Sequence, residues 1–297
     1  MIRKQTKPIT SWLLATMMLA GFTACQSDDD SASPSSDEPS RPLTVVVEGV
    51  TTRGTIITTE SLSSFSMNYL QGNTYFVEKS SGEWGVAPAS WPNMVGNNDK
   101  IDFYAYNGGS FIYNDGNPYV NFTAAETAAA TADLLVAKHE QISYNDGYNG
   151  TKGAVSFTFD HACASVDFSI SSEKEGTVQL KEIVLNDVKK SGWYHYKTNT
   201  WDNFGNGATT TYTLYSNTES PTIYLGKGET NPLDALGMMF FIPQTLSTLT
   251  AHYTISGANK KSTFTLNKPV EAGYHYEIDL KLGYSAPQQI VTIHNDK

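Results

Sequence analysis

The sequence predicts an all-β protein made of two antiparallel β-sandwiches, on three observations. Short apolar runs of strand length recur along the chain with turn signals between them. Gly 23, Tyr 17 and Phe 13, with abundant Thr and Ser, favour strands and tight turns over helices. The 297 residues suit two medium domains better than one. The expected layout is a signal peptide at 1–24, an acidic linker at 25–42, a first sandwich at 43–150 and a second at 151–297.

The N-terminus sets the expected compartment. Arg3, Lys4 and Lys7 precede an apolar run, Trp12–Phe22, which is too short to span a bilayer and reads as a signal peptide. Phe22-Thr23-Ala24-Cys25 resembles a bacterial lipobox, although Phe22 stands where an aliphatic residue is usual. That resemblance implies cleavage before Cys25 and lipidation of its thiol, giving durable attachment to the outer membrane through several acyl chains. The next stretch, Gln26–Pro42, is acidic and rich in Ser and Pro. It cannot bury enough apolar surface to fold, so it reads as a tether. Asp28–Asp30 resembles the acidic signal of lipoproteins sent to the outer face of the outer membrane. The formal net charge of −10 argues against nucleic acid and anionic membrane surfaces as partners. Two cysteines, Cys25 and Cys163, imply no disulfide framework.

Leu43–Gly54 (LTVVVEGVTTRG) reads as the first strand and the loop that follows it. Three successive valines suit a strand buried on both faces. Thr51–Gly54 is polar, and such a loop is open to a protease. A cut between Arg53 and Gly54 would separate a buried strand from the domain it completes, leaving a groove for another strand.

Further strands are expected at Met67–Leu70 and Thr74–Glu78, around a Gln71-Gly72-Asn73 turn, and at Lys100–Tyr106. Ala124–Ala132 is a candidate short helix. Asp133–Lys138 precedes a loop at Tyr144–Gly150, where the domain boundary is placed. Val155–Ile170 is the longest β signal. Its apolar residues change parity near His161–Ser165, so a bulge or sharp bend is expected there. Strands follow at Val178–Val188, Gly192–Lys197, Thr222–Leu225 and Met238–Ile242. The last is apolar on both parities, which predicts a central strand. Tyr253–Ile255 and Thr263–Leu266 precede Tyr274–Leu282, the cleanest alternation in the chain. After Pro287, Gln289–His294 is a last short strand.

Taken in order, several landmarks carry a resemblance: Cys25, Thr52-Arg53-Gly54, Trp91-Pro92, Phe103–Tyr106, Asp133–Leu135, Phe159–His161, Ile183–Leu185 with Gly192, Ile242–Gln244 and Ala272–Tyr276. The chain resembles the fimbrillin family of Bacteroidales, the subunits of type V pili and their anchor and tip relatives. The resemblance implies two transthyretin-like sandwich domains, delivery as a lipoprotein, and removal of the first strand after Arg53. It also implies polymerisation by strand exchange with other fimbrial subunits, in a surface fimbrium that adheres to a host or bacterial receptor. Gln289, Ile290, Val291, Thr292, Ile293 and His294 form the candidate donor strand, or equally the final strand of the second domain.

Chemistry is sparse elsewhere. His161 and Cys163 share a strand face, but they sit within an apolar segment and Cys163 reads as a small buried hydrophobe. The six histidines show no zinc spacing. Asn114–Asn117 and Asn145–Gly147 read as turns and not as calcium loops. No phosphate loop or nucleophile elbow is present, so neither cofactor nor metal nor enzymatic activity is expected. The rival reading is an outer-membrane lipoprotein that binds glycan, with Trp84, Trp91, Trp193 and Trp201 as stacking rings.

Overall fold

A computed structural model of the chain describes residues 41–51, 61–69, 74–125, 131–202, 204, 210–218, 221–233, 238–283 and 288–294. Among these residues every regular element is a strand, in four sheets. Cys25, Arg53 and Gly54 lie outside the described residues, as does most of the expected Ala124–Ala132 helix; its described ends are not helical.

The first sheet has seven strands. In spatial order they are β1 (Thr44–Val50), β9 (Ala154–His161), β8 (Leu135–Ile142), β5 (Ile101–Asn107), β2 (Ser64–Tyr69), β3 (Thr74–Ser80) and β4 (Glu83–Ala87). It curls until its ends meet: Pro42 bridges Ser90, and the Leu43 amide donates to the Ala89 carbonyl at 3.3 Å. Inside lie Leu43, Val45, Phe65, Met67, Val77, Trp91, Phe103, Val155, Phe157 and Phe159. The second sheet, β13 (Thr200–Asp202), β12 (Ser191–His195), β7 (Asn117–Thr123) and β6 (Ser110–Asn114), covers the outer face of β5 and β8. Both faces of β5 are therefore buried: Phe103 and Ala105 face the inner cluster, Tyr104 and Tyr106 the outer one.

The other two sheets face each other. One holds β16 (Thr230–Pro232), β10 (Ala164–Ser172), β20 (His275–Leu282) and β21 (Gln288–His294), with β17 (Met239–Phe241) also on β10. The other holds β14 (Thr210–Ser216), β11 (Val178–Val188), β18 (Gln244–Ile255) and β19 (Ala258–Val270), with β15 (Tyr224–Leu225) also on β11. Between them pack Val166, Phe168, Ile183, Leu185, Leu249, Phe264, Ile278 and Leu280, among others.

The parity change is real. Val155, Phe157 and Phe159 are buried in β9, whereas Ala164, Val166, Phe168 and Ile170 are buried in β10. The two strands break at Ala162–Cys163 because the chain there leaves the first sheet for the third. Residues 154–161, assigned from sequence to the second sandwich, are thus hydrogen-bonded into the first sheet. The second sheet likewise joins strands from either side of residue 150.

Two expectations need correction. Met238–Ile242 is no central strand: β17 has three residues and pairs only with β10. It is apolar on both parities because Met239 and Phe241 enter one core while Phe240 and Ile242 enter another. Nor are the pairings all antiparallel: β1 on β9 and β10 on β20 run parallel.

Candidate functional site: the seat of the first strand

The expected plug, β1, is held along one flank by a parallel ladder with β9, from Thr44 opposite Ala154 to Val50 opposite Phe159. The register slips between Val47 and Gly49, leaving Glu48 as an extra residue. This bulge decides which side chains are buried. Leu43 and Val45 alternate inward, and after the slip Val50 takes the inward position. Val46 and Val47 are only half buried and Thr44 and Glu48 are exposed, so the three valines do not mark a strand buried on both faces. Only one face of β1 meets the core, and β-branched residues suit its partly exposed other face as well.

Both ends of β1 are fastened. Upstream, the Arg41 guanidinium donates to the carbonyls of Val95 (2.6 Å) and Pro92 (3.1 Å) and to Asn97 Oδ1 (3.1 Å). The Trp91 amide donates back to the Arg41 carbonyl at 2.7 Å. Downstream, the Thr51 amide donates to the Phe159 carbonyl at 2.7 Å and its hydroxyl to Asp160 Oδ1 at 2.7 Å. Midway, the hydroxyl of Tyr148 donates to the Glu48 carboxylate. Gly153 lets the chain enter: its φ is +71°, and a Cβ there would lie 2.1 Å from the Pro42 carbonyl oxygen. The floor is aromatic, with Phe65 4.9 Å from Phe159 and 5.8 Å from Phe157, ring centre to ring centre.

Sequence reading anticipated Leu43 and Val45 but missed Arg41, Glu48, Tyr148 and Gly153. Arg41 and Pro42 were assigned to the tether, on composition alone. Their one available signal was position, immediately before the first apolar run. The candidate donor residues 289–294 lie in β21, antiparallel to β20, with Val291 opposite Ile278 and Ile293 opposite Tyr276. That strand is the last in its sheet.

The other candidates resolve into structure. His161 Nδ1 contacts the Asp133 carboxylate, with both side chains deeply buried. Burial pushes the Asp133 carboxyl up, and the hydrogen bond with His161 opposes that push. Cys163 is buried beside them. Burial, and secondarily the Asp133 charge, push its thiol well above the ordinary range, so thiolate is scarce and the group is a poor nucleophile. Accordingly, with Cys25 replaced by Ser, the folded chain is expected to resist labelling by iodoacetamide at pH 8 and to label fully in urea. Rapid labelling of native protein would contradict this.

Among the described residues no tryptophan is exposed. Trp91 is buried in the floor, Trp84 packs on Phe65 at 5.3 Å and Trp201 donates to the Ala162 carbonyl at 2.9 Å. Trp193 stacks on Tyr119 at 4.5 Å. Asn114–Asn117 is the turn of the β6–β7 hairpin, with positive φ at Asp115 and Gly116. Among the described residues no three His, Cys, Asp or Glu side chains are grouped to hold a metal ion.

The sequence profile of the fimbrillin-like family matches residues 43–295. The chain belongs to the fimbrillin-like family and is a structural, non-enzymatic protein. No curated protein matches its sequence. Among solved structures it is similar to a candidate cell adhesion protein from Bacteroides eggerthii DSM 20697, at 12% identity and a TM-score of 0.50, covering 86% of this chain and 96% of that one. It is also similar to a fimbrial assembly protein from Parabacteroides distasonis ATCC 8503 (14% identity, TM-score 0.46, 87% and 97% covered). A third is the C-terminally truncated tip fimbrial protein Mfa3 from Porphyromonas gingivalis (10%, 0.39, 79% and 94%). At 12% identity the first of these likenesses bears on the fold alone.

Proposed function

We propose that this chain is a cell-surface fimbrial subunit that acts in adhesion and assembles by exchange of its first strand. It is exported as a lipoprotein on Cys25 and held at the outer membrane. A protease cuts after Arg53, β1 leaves, and a strand of a neighbouring subunit fills the seat. The observation that carries this reading is the seat itself. β1 lies at the end of its sheet, its regular ladder is with β9 alone, and it gives Leu43, Val45 and Val50 to the core. Any extended segment with apolar residues at those steps can replace it, taking its main-chain bonds from β9 and its pockets from the aromatic floor. Because donor and seat are different surfaces, the contacts do not close and a filament results. Residues 289–294 are the proposed donor, since an end strand is the one a sheet can most readily lend.

N-terminal sequencing of the polymerised surface form tests the reading. The expected first residue is Gly54. Fibres whose subunits all retain residues 43–53 would overturn it.

A further inference from the structure

A small cleft opens at the downstream end of the β1 seat. It holds about 230 Å³ and is lined by Thr51, Asp160, His161, Tyr194, Asn199 and the turn before β20. That is below the roughly 300–1,000 Å³ of a small-molecule site and suits a single side chain. The strand register brings the lining together. Val50 pairs with Phe159, so Thr51 comes to stand beside Asp160. Its amide donates to the Phe159 carbonyl and its hydroxyl to Asp160 Oδ1, each at 2.7 Å. Asp160 and His161 end β9, Tyr194 comes from β12, and Asn199 from the turn after it. Thr51 is exposed, so it stands at the rim and leaves the cleft open.

The lining is rich in acceptors. Asp160 makes no ion pair among the described residues. The Tyr194 hydroxyl donates to Asn199 Oδ1 at 3.3 Å. Burial, and secondarily the Asp160 charge, push that hydroxyl up to about 12, so it stays protonated. His161 turns Nδ1 to the Asp133 carboxylate, and its buried Nε2 finds no hydrogen-bond partner among the described residues. In the neutral ring Nδ1 donates and Nε2 accepts. Among the described residues no lysine or arginine lines the cleft. A carboxylate and an imidazole nitrogen with no cation facing them are complementary to an ammonium or guanidinium group.

We infer that this cleft is a specificity pocket for the incoming strand, and that it selects a strand with a basic side chain at the step Thr51 now fills. The inference rests on the strand-exchange reading and names what the seat prefers. The long stem of a lysine or arginine reaches over the rim, and its head bonds Asp160 with several donors where Thr51 offers one. The resident strand is then a weaker occupant than a basic one, which gives exchange a direction. In the proposed donor, Ile293 set at the Val50 step brings His294 to this one.

The test uses the chain nicked after Arg53, with β1 in place, and fluorescent peptides of residues 41–51 in four forms: Thr51 kept, Thr51→Lys, Thr51→Val and Thr51→Glu. Fluorescence anisotropy reads how readily each displaces β1. The Thr51→Lys peptide is expected to take the seat about threefold to fivefold more readily than the parent, and the Thr51→Glu peptide least readily. The preference for lysine falls with added salt, because the pair is partly exposed. It disappears in the Asp160→Asn chain, which keeps an acceptor for Thr51 and is expected to keep its melting temperature. Equal uptake of the four peptides, or a lysine preference that survives Asp160→Asn, would overturn the inference and leave strand exchange standing. Uptake of no peptide, the parent included, would overturn both.

Discussion

A mature chain cut after Arg53 and stripped of the released peptide assembles into chains of subunits, and returns to monomer when a synthetic peptide of residues 41–51 is supplied in excess. The expectation follows from the energetics of the seat. Leu43, Val45 and Val50 are almost wholly withdrawn from water, and each such side chain contributes roughly 1.5–3 kcal/mol. Emptying the seat also strips the ladder of β9 of its partner and exposes part of the aromatic floor. The loss is comparable with the whole stability of a typical domain, about 5–15 kcal/mol. An empty seat is therefore not a resting state, and a strand from another copy is the nearest substitute. Size-exclusion chromatography with light scattering reads the outcome. A stripped chain that stays folded and monomeric would show that the seat needs no occupant, and polymerisation would then need another mechanism.

The second large effect is expected at Gly153. Replacement by Ala places a Cβ about where the Pro42 carbonyl oxygen already stands, in a backbone region that ordinary residues adopt only with strain. The Thr44 amide donates to the Gly153 carbonyl at 3.0 Å, so any local shift is passed directly to the start of β1. We expect a loss of roughly 3 kcal/mol and a fall in melting temperature of roughly 6–12 °C. Tryptic cleavage at Arg41 should also accelerate. Gly116 is the control. Its φ is +78°, yet nothing lies within 4 Å of the point its Cβ would occupy, so Gly116→Ala should cost only about 1 kcal/mol. Equal effects at the two glycines would mean that backbone strain, and not the approach of Pro42, sets the cost.

What could be read from the sequence differed from segment to segment for physical reasons. In Tyr274–Leu282 strict alternation foretold the burial of Tyr276, Ile278, Leu280 and Leu282, because one face of β20 meets a core and the other is largely solvent. The parity change in 154–170 was visible because two strands of opposite phase abut there. By contrast, the long β18–β19 hairpin was reduced to two fragments. Its tip, Ile255–Lys261, lies largely outside the core and so carries polar residues with no alternation to detect. Phe103–Tyr106 could not announce that both their faces are covered, since the cover arrives from β7 and β12, the latter some 90 residues later. The β1 seat was half visible. Its apolar residues stood out, while the slip at Glu48 and the clearance at Gly153 depend on partners about 100 residues away.

The grip of Arg41 bears on timing. Hydrolysis beyond Thr51 severs only the covalent link downstream of β1, whereas the guanidinium clasp on residues 92–97 and the Thr51 contacts with β9 are untouched by it. A nicked molecule would thus keep its leading peptide docked as a bound ligand, with a dwell time of its own. Elongation would then be governed by how quickly an incoming segment invades and peels that ligand away, so the cell could stockpile primed but silent subunits.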